Sequence, residues 1–236
     1  MLIERYFDAL EDRMASIRAQ TEPIRAAALL CADTLANGGA LHIFDSGHMV
    51  SSELVHRAGG LAAFSPLAFG LSVNNPVKTR ADIPLADNKI SFAYIEHVFL
   101  TNQLRAGDVL FVGSVSGKTA NVIEVALQAK AHGLKVIGLT ALAYSSKLES
   151  EHPSGKRLYE VADLALDNHG PYGDAMLNVE GLDYPVCPAS GLGAATVLWA
   201  VTAGIIEEML ARGLKLTVYP SVNRPDGRTL LSQVEA

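Results

Sequence analysis

Residues 108–141 of this 236-residue chain read DVLFVGSVSGKTANVIEVALQAKAHGLKVIGLTA. Two short apolar runs, DVLFV (108–112) and KVIGLTA (135–141), flank a stretch with helical periodicity, ANVIEVALQAKAHG (120–133). Apolar runs that alternate with helices are typical of a parallel sheet covered on both faces. We therefore predict a strand–loop–helix–strand unit. The sequence GSVSGKT (113–119), called the hydroxyl loop below, follows its first strand.

The same alternation extends to both sides of this unit and predicts an α/β fold, a three-layer αβα sandwich around a parallel sheet. Because no internal repeat or low-complexity linker interrupts the chain, we predict a single domain over 1–236, with an N-terminal helical hairpin (1–38) and a C-terminal tail (213–236) that is mostly irregular. Segment 169–190 is predicted as a long loop. The further predicted strands are 40–44, 61–64 and 162–168, and the further predicted helices are 2–19, 22–37, 49–58, 90–104 and 191–213.

Composition bounds the function. Hydrophobic residues make up 49% of the chain, so a sizeable core is expected. The net charge of −6, with no basic block, argues against binding to nucleic acid. The two cysteines have no metal-ligand spacing, and the N-terminus has no signal-peptide core, so we expect a cytoplasmic protein without a bound metal. Residues 184–206 carry no charge, but Pro and Gly interrupt their first half, and we predict a buried helix there rather than a membrane span.

The ending Gly-Lys-Thr of the hydroxyl loop suggests an ATPase phosphate loop, but the spacing is wrong. A Walker loop needs four residues between its first glycine and Gly-Lys-Ser/Thr, whereas Gly113 and Gly117 are separated by three. It also needs an aspartate after a neighbouring strand to hold Mg²⁺, and the next strand ends near Thr140 without an acid. A dinucleotide site is disfavoured too, because DSGHMVS (45–51) lacks G-x-G-x-x-G.

The hydroxyl loop instead offers Ser114, Ser116 and Thr119 at the start of a helix, where backbone N–H groups lack partners. Hydroxyls, amides and the positive end of the helix dipole together suit a terminal phosphate or sulfonate without a metal. The alternative is ordinary N-capping by Ser114 or Ser116. Capping requires one hydroxyl, and the loop supplies three together with two glycines.

The pattern Ser114-x-Ser116-Gly117-x-Thr119 between a strand and a helix resembles the phosphosugar loop of the SIS (sugar isomerase) domain family. The segment DSGHMVSSELVHRAGG (45–60) is similar to that family's first loop, a glycine turn followed by serines and a helix with a glutamate. The strand ending in GLTA and the helical hairpin also agree. The resemblance covers about residues 2–212 and extends to phosphoheptose isomerase-like members.

The resemblance implies a five-stranded parallel sheet in flavodoxin-like order and a homo-oligomer, a dimer or tetramer, with active sites near the subunit interfaces. It also implies that a sugar phosphate binds without a cofactor. The substrate-binding residues would be Ser46, Gly47, Ser51, Ser52, Ser114, Ser116, Gly117 and Thr119.

Glu53 is the candidate base. Aldose–ketose isomerisation moves a proton between C1 and C2 through an enediol and needs a base above those carbons. Glu53 matches the glutamate used as base in the phosphoheptose isomerase branch, and Arg57 follows four residues later as in that branch. The alternative is a surface Glu–Arg pair worth a few tenths of a kcal/mol.

A proton shuttle at the sugar oxygens is also needed, and histidine suits it. His48, in the turn after a strand, is the first candidate, His169 the second and His56 the third. Asn168, Asp174 and the tail segment SVNRPDG (221–227) are candidates to contact sugar hydroxyls, although the tail segment could equally bridge subunits. The phosphoheptose branch carries a histidine on its last helix, and this chain has none there.

Three functions therefore remain open. The first is isomerisation of a phosphorylated or similarly anionic sugar. The second is a phosphosugar lyase or etherase that uses the same loop. The third is a sensor that binds a sugar phosphate without turnover, although no DNA-binding domain is attached.

Overall fold

A computed structural model describes residues 1–47, 51–71 and 92–235. Five parallel strands form the central sheet in the order β2-β1-β3-β4-β5, which is the flavodoxin-like order that the resemblance implied. The strands are β1 (Leu41–Asp45), β2 (Phe64–Pro66), β3 (Val109–Gly113), β4 (Lys135–Thr140) and β5 (Leu164–Asp167). The predicted fold class is therefore confirmed.

Helices cover both faces of the sheet and form two separate cores. The described helices are α1 (Leu2–Ala19), α2 (Thr21–Ala36), α3 (Ala93–Leu100), α4 (Ala120–Ala131), α5 (Leu142–Ser145), α6 (Leu158–Val161), α7 (Ser190–Ala211) and α8 (Gly227–Glu235). In β3, Val109 and Phe111 join the core under α2 and α7, whereas Leu110 and Val112 join the core under α3 and α4. This two-residue alternation explains why the whole strand is apolar.

Residues 190–206 of the uncharged stretch lie in α7, which continues to Ala211, whereas residues 184–189 precede this helix. By length and composition alone this helix could cross a membrane. Its residues Val197, Leu198 and Val201 are, however, buried in the core against α2 and the sheet. Such burial is typical of the central helix of a folded domain.

Segment 49–58 was wrongly predicted as one helix. Residues 48–50 lie outside the described residues, Ser51–Glu53 form a single 3₁₀ turn, and the backbone turns left-handed at His56 with φ of 53°. The start of the segment is tied to β1, because Asp45 accepts a hydrogen bond from the N–H of Ser51 (3.2 Å). Tertiary contacts override the helical pattern here.

Two regions predicted as irregular also contain structure. The loop after β5 folds into an antiparallel hairpin of β6 (Ala175–Leu177) and β7 (Val186–Pro188). The C-terminal tail forms α8, and upstream of it Leu61 and Val218 form an antiparallel bridge. Both strands of the hairpin have three residues, too few to show a clear alternation.

A buried histidine–aspartate pair closes the amino end of the sheet. His42 Nε2 lies 3.1 Å from Asp108 Oδ2, and both residues are buried. Burial disfavours the charged carboxylate, but hydrogen bonds from the N–H groups of Ala40 and Arg105 and from His42 outweigh it, so the pKa of Asp108 lies below its ordinary value. This pair ties β1 to β3 at the end opposite the hydroxyl loop.

Candidate active site

The first loop (45–51) and the hydroxyl loop meet at the carboxyl edge of the sheet. Ser46 donates hydrogen bonds from its hydroxyl (2.7 Å) and its backbone N–H (3.4 Å) to the carbonyl of Gly113. After β1 the chain forms β2 on one side of the sheet, and after β3 it forms β4 on the other side, so the two loops flank the point where the strand order reverses. Open α/β sheets bind their ligands at this position.

The hydroxyl loop is held by its carbonyl groups. Val115 O accepts from Oγ1 of Thr140, the last residue of β4 (2.9 Å), and from the N–H of Ala141, which follows it (3.1 Å). Thr140 is fully buried. Strand β4 therefore supports the loop from one side through a hydroxyl and an amide.

Two further carbonyls of the loop accept from a more distant segment. The carbonyl of Gly117 accepts from the N–H of Leu158 (2.8 Å), and that of Lys118 accepts from the N–H of Glu151 (2.9 Å). The Lys118 ammonium also pairs with the Glu151 carboxylate at 2.6 Å. The lysine that suggested an ATPase loop thus binds a carboxylate of its own chain, and this contact raises the Lys118 pKa.

The same contacts orient the loop's N–H groups. In a planar trans peptide, the carbonyl and the following N–H point in opposite directions. With three carbonyls turned toward residues 140–158, the N–H groups of Ser116, Lys118 and Thr119 point away from that segment. They donate to no acceptor among the described residues. Unpartnered N–H groups at the start of a helix have the geometry of an anion-binding site.

The three predicted hydroxyls have different surroundings. Ser114 is buried, and its Oγ accepts from the N–H of Gly117 (3.2 Å), which shapes the loop and leaves the hydroxyl proton to donate elsewhere. Thr119 is the N-cap residue of α4, yet its side chain makes no capping bond and is exposed. The Ser116 hydroxyl has no hydrogen-bond partner in the part of the chain that the structure describes. Only Ser114 is therefore used within the loop.

The first loop is organised by an aspartate that the sequence analysis did not select. Asp45 accepts from the N–H groups of Gly47 (2.8 Å) and Ser51 (3.2 Å), so its carboxylate draws the two ends of the loop together. A carboxylate as the last residue of a buried strand was the available signal. Ser51 is partly buried and Ser52 is exposed at the start of the 3₁₀ turn.

Glu53 ends this 3₁₀ turn and pairs with Arg57. Arg57 Nε lies 3.1 Å from Glu53 Oε2, and the glutamate side chain is 33% exposed. The next residue, Leu54, is buried in the core, which holds the turn against the sheet. The predicted pair is present, and Glu53 is open enough to meet a ligand. Its role as base stays a prediction.

The two candidate histidines that the structure describes, His56 and His169, lie in different environments. His48 lies outside the described residues. His56 packs its ring on Tyr219 of the tail, with ring centroids 5.3 Å apart. His169, in a left-handed conformation after β5, has Nδ1 3.5 Å from Asp167 Oδ2, and its Nε2 is buried with no partner among the described residues.

Asp167 was not predicted from the sequence as the partner of the His169 ring. It also accepts from the backbone N–H of His169 (2.8 Å), so the carboxylate orients both ring and backbone. The predicted role of His169 as a proton shuttle through Nε2 stays a prediction. Strand β5 is, however, two strands from β3, roughly 10 Å along the sheet. The structure thus brings Ser46 and Ser114 together but places His169 at the edge of the same surface.

The two remaining candidates make structural contacts. Asn168 is 2% exposed, and its side-chain oxygen accepts from the N–H of Gly170 (2.9 Å). Asp174 accepts from the N–H (2.8 Å) and the hydroxyl (2.7 Å) of Ser190, which starts α7. Their predicted contact with sugar hydroxyls stays a prediction. Within the described ranges, no group of three His, Cys, Asp or Glu side chains could hold a metal ion.

Comparison with known proteins identifies the family to which this chain belongs. Residues 5–141, which include both loops, match the SIS domain. The chain belongs to the SIS domain family. A UPF0309 protein of Streptomyces avermitilis is 36% identical over 233 residues, covering 96% of this chain and 90% of that protein. A UPF0309 protein of Shouchella clausii is 32% identical over 231 residues, covering 95% and 92%.

Solved SIS structures agree in fold. The phosphoheptose isomerase of Neisseria gonorrhoeae superposes with a TM-score of 0.50 at 19% sequence identity, covering 87% of this chain and 97% of that structure. At this identity the likeness concerns the fold alone. The role of the hydroxyl loop in this SIS domain therefore has to follow from the contacts of the loop itself.

Proposed function

We propose that this SIS protein isomerises a phosphorylated, or similarly anionic, sugar between its aldose and ketose forms. The observation that carries the proposal is the set of free donors in the hydroxyl loop, next to the first loop that leads to Glu53. The N–H groups of Ser116, Lys118 and Thr119 and the hydroxyls of Ser116 and Thr119 would bind the phosphate. Binding the far end of the sugar would hold its reactive carbons in place.

The chemistry then needs two proton movements. The Glu53 carboxylate takes the proton from C2 of the aldose, the C1 carbonyl becomes the second hydroxyl of an enediol, and the protonated Glu53 then delivers a proton to C1 to give the ketose. A shuttle moves a proton between the two sugar oxygens, for which His48 and His169 are the candidates. Atoms and charge are conserved, and no cofactor is consumed.

Turnover is tested with a panel of aldose and ketose phosphates in D₂O, followed by ¹H NMR. We expect interconversion of one pair, with deuterium entering at C1 or C2 because the base exchanges its proton with solvent. A dehydrated product would instead identify a lyase. Thermal stabilisation by a sugar phosphate without product or deuterium would identify a sensor. Either of these results would overturn the isomerase assignment.

We also propose a homo-oligomer in the cytoplasm, consistent with two free cysteines. A groove of about 830 Å³ between α1, α2 and α7 is lined by apolar residues such as Met14 and Ala203, with Arg18 and Arg25 on one side and Glu207 on the other. A second copy related by a two-fold axis would bring these opposite charges together. Sedimentation equilibrium of protein from the cytoplasmic fraction should show a dimer or tetramer, and Ala203→Arg should shift it to monomer. A monomeric wild type would contradict this.

A further inference from the structure

Residues 150–158, SEHPSGKRL, form a segment behind the hydroxyl loop that we call the clamp segment. It supplies the N–H groups of Glu151 and Leu158 that bind the carbonyls of Lys118 and Gly117. These two carbonyls fix which way the N–H groups of Lys118 and Thr119 point, because each shares a peptide plane with one of them. The position of the clamp segment therefore sets the direction of two proposed phosphate donors.

A buried histidine ties the clamp segment to α4. His152 Nε2 lies 2.9 Å from Glu124 Oε2, and each residue is only 8% exposed. Glu124 lies in the second turn of α4, and its other oxygen accepts from the Gln128 amide (2.7 Å). The His152 ring stacks on Phe92, with centroids 5.0 Å apart. The contacts of His152 thus join the clamp segment to α4 and to Phe92, the residue before α3.

The hydrogen bonds assign the protons of this pair. The backbone N–H of Ser154 can only donate, and it lies 3.1 Å from His152 Nδ1, so Nδ1 is an acceptor, and the Ser154 hydroxyl, 2.8 Å away, can donate to it as well. The ring hydrogen then lies on Nε2 and is donated to the Glu124 carboxylate. Ser150 holds the other side, because its Oγ accepts from the N–H of His152 (3.0 Å) and donates to the carbonyl of Lys156 (2.7 Å). Because each of these hydrogen bonds of His152 and Ser150 has a fixed donor and a fixed acceptor, together they hold the clamp segment in one position.

Stability alone is a weak reason for this pair. Well-packed apolar side chains of similar volume often stabilise a core as much as a buried ionic contact, because they avoid the loss of solvation. An apolar contact can slide, however, whereas a directional hydrogen bond between an imidazole and a carboxylate cannot. What the pair adds over an apolar contact is a defined register between the clamp segment and α4.

We propose that His152 and Glu124 are positioning residues for phosphate binding. They hold the clamp segment on α4 so that the N–H groups of Lys118 and Thr119 face the anion, although neither side chain touches it. The proposal rests on the proposed function, since it concerns the same anion site. It concerns a pair of residues 28 positions apart that no loop motif contains.

The test compares three variants of the full chain. His152→Asn leaves an acceptor for Ser154 but is too short to reach Glu124, whereas His152→Gln extends an amide donor to the place of Nε2. His42→Asn is the matched control, because His42 is equally buried and pairs with Asp108 at the opposite end of the sheet. Inorganic phosphate affinity is measured by calorimetry, and hydrogen exchange of the amides of residues 116–121 by NMR.

We expect His152→Asn to weaken phosphate binding about ten-fold, as expected for one or two misdirected hydrogen bonds to an anion, and to speed exchange at residues 116–121. His152→Gln should stay within about three-fold of wild type. His42→Asn should lower the melting temperature and leave both the affinity and these amides unchanged. Equal effects of His152→Asn and His42→Asn on both readouts would show a general loss of stability and overturn the proposal.

Two situations need a separate readout. If the wild type binds no phosphate, the proposed function fails, and the exchange rates alone still decide whether His152 orders the hydroxyl loop. If His152→Asn does not fold, Glu124→Met replaces it, because methionine keeps the length of the side chain but offers the His152 ring hydrogen no strong acceptor. Unchanged exchange at residues 116–121 in Glu124→Met would then overturn the proposal.

Discussion

Replacing Glu53 by glutamine is expected to lower kcat about 10²–10⁴-fold on the sugar phosphate that the panel identifies, as is usual for loss of a general base. Glutamine has the same size and keeps an oxygen for Arg57, but its amide does not take up a proton. Because Glu53 and Arg57 are partly exposed, their pair contributes about 0–1 kcal/mol, and the folded protein should persist. Single-turnover rates and thermal melts of both proteins measure the two effects.

A matched control is Asp33→Asn. Asp33 also pairs with an arginine, with Arg212 Nη1 2.7 Å from Asp33 Oδ1, and its side chain is exposed. It lies on α2, at the end of the sheet opposite the two loops, so its kcat should equal that of wild type. If Glu53→Gln also retains the wild-type rate, Glu53 is a surface partner of Arg57 and the base must be sought elsewhere.

Much of the fold was predictable because strand and helix periodicities are local. The run at 108–112 and the helix from residue 120 could each be identified alone, and parallel strands place their following loops at one edge. The adjacency of Ser46 and the hydroxyl loop follows from this rule once β1 and β3 are neighbours. The positions of Ser114, Ser116 and Thr119 at the start of α4 are therefore as predicted.

The parts that could not be predicted depend on contacts distant in sequence. The carbonyl of Gly117 meets Leu158, and His152 meets Glu124, across 41 and 28 residues respectively. No periodicity encodes such meetings. The predicted helix at 49–58 was wrong for the same reason, because the hydrogen bonds of Asp45 and the contact of His56 with the tail determine the backbone there. The contact of Asp167 with His169 depends on a left-handed backbone at His169 that the letters DNHG do not specify.

Replacing Gly117 by alanine is expected to damage both stability and phosphate binding. Gly117 has φ of 59°, and a Cβ atom there would lie 2.8 Å from Ser145 Oγ and 3.0 Å from Thr140 Oγ1. Left-handed strain of about 1–2 kcal/mol would add to about 1–3 kcal/mol of overpacking. Displacing Thr140 would also loosen its hydrogen bond to Val115, so the N–H of Ser116 would lose its direction.

The two contributions are separable, because the chain offers a control for strain and a rescue for crowding. Gly38 has φ of 78° with nothing near its added Cβ, so Gly38→Ala carries the strain without the contact. Ser145→Ala removes the crowding hydroxyl, which is buried without a partner among the described residues and so is expendable. We expect Gly117→Ala to have a free energy of urea unfolding well below that of Gly38→Ala, and the double variant Gly117→Ala with Ser145→Ala to recover part of the difference.

Phosphate affinity should be lowest in Gly117→Ala, higher in the double variant, and equal to the wild-type value in Gly38→Ala. The reason is that Gly117, unlike Gly38, lies in the loop that carries the proposed phosphate donors. Equal stability and affinity of Gly117→Ala and Gly38→Ala would mean that the hydroxyl loop tolerates a shift at Gly117 and that its close packing against Thr140 and Ser145 does not orient the anion site.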